Sequence, residues 1–183
     1  SAESTGHSHV HHLQEVAVVH RREQQDPRRR GSEQRHKPER RIMQTGGAVK
    51  ATREQIELVH TMVKKYPGTF ELALGAKDIV RIHKAGKIAS LIGMEGGHSI
   101  DNSLEILREH YSRGARYMTL AHSKNLQWVE SATDSQLASG LTAFGKQVVR
   151  EMNRLGMLVD ISHNSARAMR EVLGVATAPV IAS

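Results

Sequence analysis

Between Lys87 and Ser183 the chain repeats one unit, in which a short apolar run is followed by a polar loop, an amphipathic stripe and a glycine. Ile88-Ala89-Ser90-Leu91-Ile92-Gly93-Met94 has no helical periodicity and reads as one strand buried on both faces. Leu104, Leu107 and Tyr111 then form a helical stripe closed by Gly114. Arg116 to Leu120 is the next strand, and Phe144, Val148, Met152 and Leu155 mark a helix stopped by Gly156. Met157 to Ile161 is a third strand, Ala166 to Leu173 a third helix ended by Gly174, and Pro179-Val180-Ile181 opens a fourth strand. Repeated βα units imply parallel strands with helices packed outside. No Gly-x-Gly-x-x-Gly turn follows the first strand, so a dinucleotide-binding sheet has little support. The expected fold is α/β, a partial (β/α)8 barrel of TIM type with about four parallel βα units, because four strands do not close an eight-stranded barrel.

Upstream, Thr52 and Gln55 have capping-box spacing, and Ile56, Val59, Val63 and Tyr66 share one helical face until Pro67-Gly68. A shorter helix follows from Ala76 through Ile79 and Ile82 to Ala85-Gly86. Residues 1–45 differ in kind: few periodic apolar positions, two prolines, Arg28-Arg29-Arg30 and the cluster His7, His9, His11, His12. They read as a disordered, basic, His-rich arm, with the histidines a solvated tract, and residues 46–183 as the barrel part. At 183 residues and 38% hydrophobic, the chain has material for one core.

The net charge of +7 makes no case for nucleic acid. Residues 1–41 carry 9 Lys and Arg against 6 Asp and Glu, no aromatics separate the basic residues, and the remainder is only mildly basic. No specific nucleic-acid partner is expected. No apolar run approaches the roughly 18 residues of a membrane span, and no signal segment is visible, so the sequence reads as soluble and names no compartment. Cysteine is absent, so any metal must be held by His, Asp and Glu, which favours zinc.

In parallel α/β folds the working residues gather at the carboxyl ends of the strands. Here the three strand ends read Glu95-Gly96-Gly97-His98, His122-Ser123 and His163-Asn164. A carboxylate directly after an apolar run is costly to bury unless a cation or strong donors compensate it. The alternative is that Glu95 caps its loop or pairs with an arginine. His98 is expected to hydrogen-bond within the loop rather than to ligate. Asp160, inside the third strand, either points into the helix layer or orients His163 from behind.

The segments Gly86 to Ile100, Gly114 to Ser123, Gly140 to Lys146 and Met152 to His163 resemble, in order and spacing, successive motifs of the membrane (renal) dipeptidases, peptidase family M19. The likeness runs from about Thr52 to Ser183. It implies an eight-stranded barrel with two zinc ions that hydrolyses dipeptides by a metal-activated water. On this resemblance Glu95 is the carboxylate bridging both metals, His163 a metal ligand, and His122 the histidine that contacts the substrate and stabilises the tetrahedral intermediate. The departures are the family's early His-x-Asp pair, which has no counterpart here, and a ligand histidine, an arginine and an aspartate expected after Ala182-Ser183. The loop after His122 keeps Asn125 and Trp128 but changes their neighbours. Two readings follow. One is a zinc dipeptidase present as a truncated or fragmentary copy, impaired as an isolated chain. The other is a non-catalytic barrel remnant acting as an interaction module. Exposed strand edges favour association of copies, in the simplest case a homodimer.

Overall fold

The computed structural model describes residues 47–183. The arm expected over residues 1–45, with its histidine cluster, lies outside them. The first helix, α1 (Gly47–Lys65), buries Ile56 and Val59, as their spacing predicts. It begins five residues before Thr52, and the Thr52 hydroxyl donates back to the Ala48 carbonyl at 2.9 Å. The capping-box reading is therefore corrected: within a helix a threonine hydroxyl finds the carbonyl four residues earlier. Strand β1 (Phe70–Leu72) follows, then α2 (Ala76–Lys84). Three residues after a Pro-Gly turn are too few to carry a period, which is why β1 is invisible in the sequence.

The apolar run after Lys87 is two strands, not one. β2 (Ile88–Ser90) pairs in parallel with β1, whereas β3 (Ile92–Glu95) pairs in parallel with β4 (Ala115–Thr119), with a register shift between Ile92 and Gly93. The run changes partner at Leu91, and Ile88 is 41% exposed, so burial on both faces does not extend to its start. β5 (Leu158–Asp160) pairs in parallel with β4. The expected fourth strand reduces to one parallel bridge, Ile181 with Asp160, in which Ile181 N–H donates to Val159 and its carbonyl accepts from Ile161, both at 2.9 Å.

Helix α3 (Leu104–Ser112), α4 (Ala143–Leu155) and α5 (Ala166–Leu173) return the chain from each strand. Each begins at a hydroxyl residue whose oxygen accepts an N–H of the first turn: Ser103 from Ile106, Thr142 from Gly145, Ser165 from Ala168. Gly156 ends α4 in the left-handed region, φ 77°, where a side chain would be strained. Gly174 ends α5 without that conformation.

Register decides which face meets the helices. Met94, Met118 and Val159 lie side by side and are buried in one core with Leu107, Val148, Met152, Ala168 and Val172. Each of the methionine, leucine and valine side chains contributes about 1.5–3 kcal/mol by leaving water. Their neighbours Glu95, Thr119 and Asp160, also side by side, face the other way. Among the described residues no helix is long and apolar enough to cross a membrane.

Candidate functional site

Gly93 and Glu95 stand on the sheet face opposite the helix-covered core, beside Tyr117 and Thr119 of β4. A Cβ at Gly93 would fall 2.0 Å from the Tyr117 ring, so only glycine lets the ring lie against β3 beneath Glu95. Burial, and then the carboxylates of Asp160 and Glu95, push the Tyr117 phenol above its ordinary range. Beyond the strands the pairing continues through the loops: Gly96 N–H donates to the Thr119 carbonyl at 3.1 Å and Gly97 N–H to Leu120 at 3.0 Å. Gly97 also seats the Trp128 indole, whose ring a Cβ there would meet at 2.4 Å. The His98 ring lies over Gly96, in the 3-10 turn Gly97–Ile100, and is not in the cluster described next.

Glu95, His122 and His163, the residues at the ends of three neighbouring parallel strands, come together. His122 Nε2 is 3.3 Å and His163 Nε2 3.6 Å from the same oxygen, Glu95 Oε1. The two imidazoles meet edge to face, 4.5 Å between centroids, and the ligand atoms of all three residues lie within 4.8 Å of one another. Their side chains keep 27%, 40% and 43% of their exposure, so the cluster is open on one side. Two ligands of one tetrahedral zinc, each about 2.1 Å from the ion, stand about 3.4 Å apart. The two separations from Glu95 Oε1 match that spacing, and a carboxylate with two imidazoles is a donor set suited to zinc. On distance alone His122 and His163 are equivalent.

Asp160 is fully buried on the face that carries Glu95, which removes the alternative that it points into the helix layer. Its carboxylate accepts from Thr119 Oγ1 at 2.8 Å, from Ser183 Oγ at 2.8 Å and from the Ser162 N–H at 2.9 Å, the last beside His163. Burial pushes its carboxyl up, but the Ser162 N–H and the Thr119 and Ser183 hydroxyls outweigh it and leave the carboxyl below its usual range. His163 itself adopts φ 61°, a left-handed conformation that costs a non-glycine residue about 1–3 kcal/mol.

Sequence reasoning singled out Asn125 and Trp128 but not the network by which their loop clamps this rim. After His122, Asn125 Oδ1 accepts the Ser131 N–H at 2.8 Å and its amide donates to Ser135 at 2.7 Å. Buried Glu130 accepts from Leu137 N–H and from Ser165 Oγ, at 3.0 and 2.7 Å, tying the loop to the start of α5. The Ser165 hydroxyl, followed by the Leu137 N–H, keeps the Glu130 carboxyl below its usual range. A loop dense in Asn, Ser, Thr and Asp is the only mark of this network in the sequence.

Fold and cluster together define a parallel α/β protein that assembles a carboxylate and two imidazoles on the strand-end rim. The sequence profile of the membrane dipeptidases, peptidase family M19, matches residues 14–183, and the chain belongs to that family. Dipeptidase tcpJ of Claviceps purpurea is 45% identical over 137 residues, which cover 74% of this chain and 32% of that protein. Dipeptidase 3 of Homo sapiens is 45% identical over 141 residues, covering 74% of this chain and 28% of its own length. The chain thus spans about a third of the length of the curated relatives it matches. Among solved structures, that of the probable dipeptidase PvdM from Pseudomonas aeruginosa superposes with a TM-score of 0.69 at 29% identity, over 75% of this chain and 37% of that one.

Proposed function

We propose that residues 46–183 are a section of an eight-stranded barrel of TIM type, and that their rim belongs to a site hydrolysing dipeptides with zinc. The observation that carries this reading is the gathering of Glu95, His122 and His163 at one rim, with His163 Nε2 3.6 Å from Glu95 Oε1, a spacing that suits two ligands of one small cation, and His122 Nε2 beside the same oxygen at 3.3 Å. The similarity to proteins named dipeptidases supplies the substrate class.

In this reading Glu95 and His163 would hold metal, with the Glu95 carboxylate shared between two ions. Bound zinc would supply Lewis-acid polarisation of the peptide carbonyl and a water acidified toward neutrality. His122, at the edge of the cluster and 40% exposed, directs an N–H at the substrate carbonyl oxygen and strengthens that bond as negative charge develops there. The proton delivered to the departing amine comes ultimately from the attacking water, so the peptide bond is exchanged for a carboxylate and an ammonium without any other reactant. The Tyr117 phenol, kept protonated by burial and neighbouring carboxylates, stays neutral beneath the site.

The test is zinc content and turnover of simple dipeptides by the purified chain, beside Glu95→Gln. Bound zinc in the wild type with at most weak turnover from this chain alone, and both lost in the variant, is the expected result. A wild-type chain that takes up no zinc and cleaves no dipeptide would overturn the reading and leave the rim as part of a non-catalytic interaction module.

A further inference from the structure

We infer that Asn164 is a positioning residue that holds the His122 and His163 imidazoles in register across two different strand ends. Asn164 is fully buried, follows His163 directly, and accepts the Ala121 N–H on Oδ1 at 3.1 Å, the residue directly before His122. One side chain therefore fixes the backbone entering one histidine from the residue leaving the other. Two further bonds complete the clamp. Ser131 Oγ donates to the His122 carbonyl, and Ala132 N–H donates to the His163 carbonyl at 2.8 Å. Ser131 and Asn164 are themselves bridged as antiparallel neighbours.

Packing does not account for an asparagine here. Its Nδ2 is buried with no acceptor among the described residues, and an apolar side chain of similar volume would fill the space without stranding a donor. What an apolar residue lacks is the acceptor oxygen for Ala121. The need for a clamp follows from His163, whose left-handed backbone at φ 61° is held only if its surroundings over-determine it. Groups that orient metal-binding imidazoles act in the same way, by narrowing the range of ring positions. The consequence for metal affinity rests on the function proposed above. The consequence for the rings does not.

Two readouts on the full chain separate these. The first is solution NMR of the metal-free protein: the cross-peak between the His122 and His163 rings, and exchange protection of the Ala121 amide. Asn164→Leu is expected to lose both while the rest of the spectrum stays folded, and Asn164→Asp, which keeps an acceptor oxygen, to retain both. A folded Asn164→Leu protein that keeps the ring contact and a protected Ala121 amide overturns the inference. So does a folded Asn164→Asp protein that loses them, and this second variant decides the matter alone if the leucine variant does not fold. The second readout is zinc affinity by competition with a chromophoric chelator, expected to fall about 10- to 100-fold in Asn164→Leu and to be largely restored in Asn164→Asp. A wild-type chain that binds no zinc counts against the proposed function, while the NMR result still decides the role of Asn164.

Discussion

Two glutamates of this molecule show how differently a carboxylate can be neutralised. Glu151, on α4, is 8% exposed and lies between guanidinium groups: Arg108 Nε at 2.6 Å, Arg154 Nη2 at 2.7 Å and Arg154 Nε at 2.8 Å. Arg154, with Arg108 adding to it and burial opposing, holds its carboxyl down at about 2. Its charge is matched by fixed cations that belong to the same chain. Glu95 stands at a strand end with two imidazoles converging on one oxygen, groups that carry charge only when protonated. When neutral, those nitrogens offer lone pairs. A permanent cation makes a carboxylate structural, whereas convergent imidazoles leave it able to join a ligand set, as proposed above for Glu95.

Exchanging each glutamate for glutamine breaks the comparison most directly. Glu95→Gln is expected to weaken zinc binding by at least about 100-fold, the upper range for loss of a supporting group being the lower range for a ligand, with little change in melting temperature. Calorimetric titration with zinc, beside a thermal melt, checks both halves.

The rim also depends on backbone closeness, which the Glu151 pair does not. Gly97→Ala would place a Cβ 2.7 Å from the Leu120 carbonyl and 2.4 Å from the Trp128 ring, and is expected to cost about 1–3 kcal/mol in a denaturant titration. A variant as stable as wild type would show that Trp128 and the loop yield more readily than their packing implies.

Glu151→Gln should lower the melting temperature near neutral pH and leave zinc binding alone. The sign of its pH dependence is fixed: a carboxyl depressed in the folded state stabilises above its ordinary value of 4.5, and that contribution is lost as pH falls from 4.5 to about 2. Melting curves of wild type and variant should therefore draw together over that interval. A constant gap down to the lowest pH would assign the loss to packing instead of charge.

The smallest effect concerns His163. With its φ of 61°, His163→Gly should be more stable than His163→Ala by about 1 kcal/mol, since glycine adopts that conformation without a Cβ penalty. Equal stabilities in chemical denaturation would mean that the loop relaxes out of the left-handed region once the imidazole is gone.

Much of this was legible before any fold was seen. The stripes of Leu104 and Leu107, of Val148 and Met152, and the stop at Gly156 give α3 and α4 because a period near 3.6 has no other reading. Glu95, His122 and His163 stood out because each closes an apolar run, and parallel strands deliver such residues to one edge. The strand boundaries were not legible in the same way. The run after Lys87 is divided by its partners, β1 on one side and β4 on the other, and an apolar run contains no mark of who will pair with it.

What the sequence determined by itself was therefore periodic or chemical: which stretches are helices, roughly where the strands after Lys87 lie, that they run parallel, and which residue types arrive at their ends. These follow from local patterns and covalent order. What the tertiary structure alone decided was distance and mutual constraint. It put the two imidazole nitrogens 3.3 and 3.6 Å from one carboxylate oxygen, turned Asp160 toward Thr119 and the Ser162 backbone, and set Asn164 against Ala121 across 43 residues of chain. Hydrogen bonds and ligand spacings depend on tenths of an ångström between segments remote in sequence, and only packing of the whole fixes those.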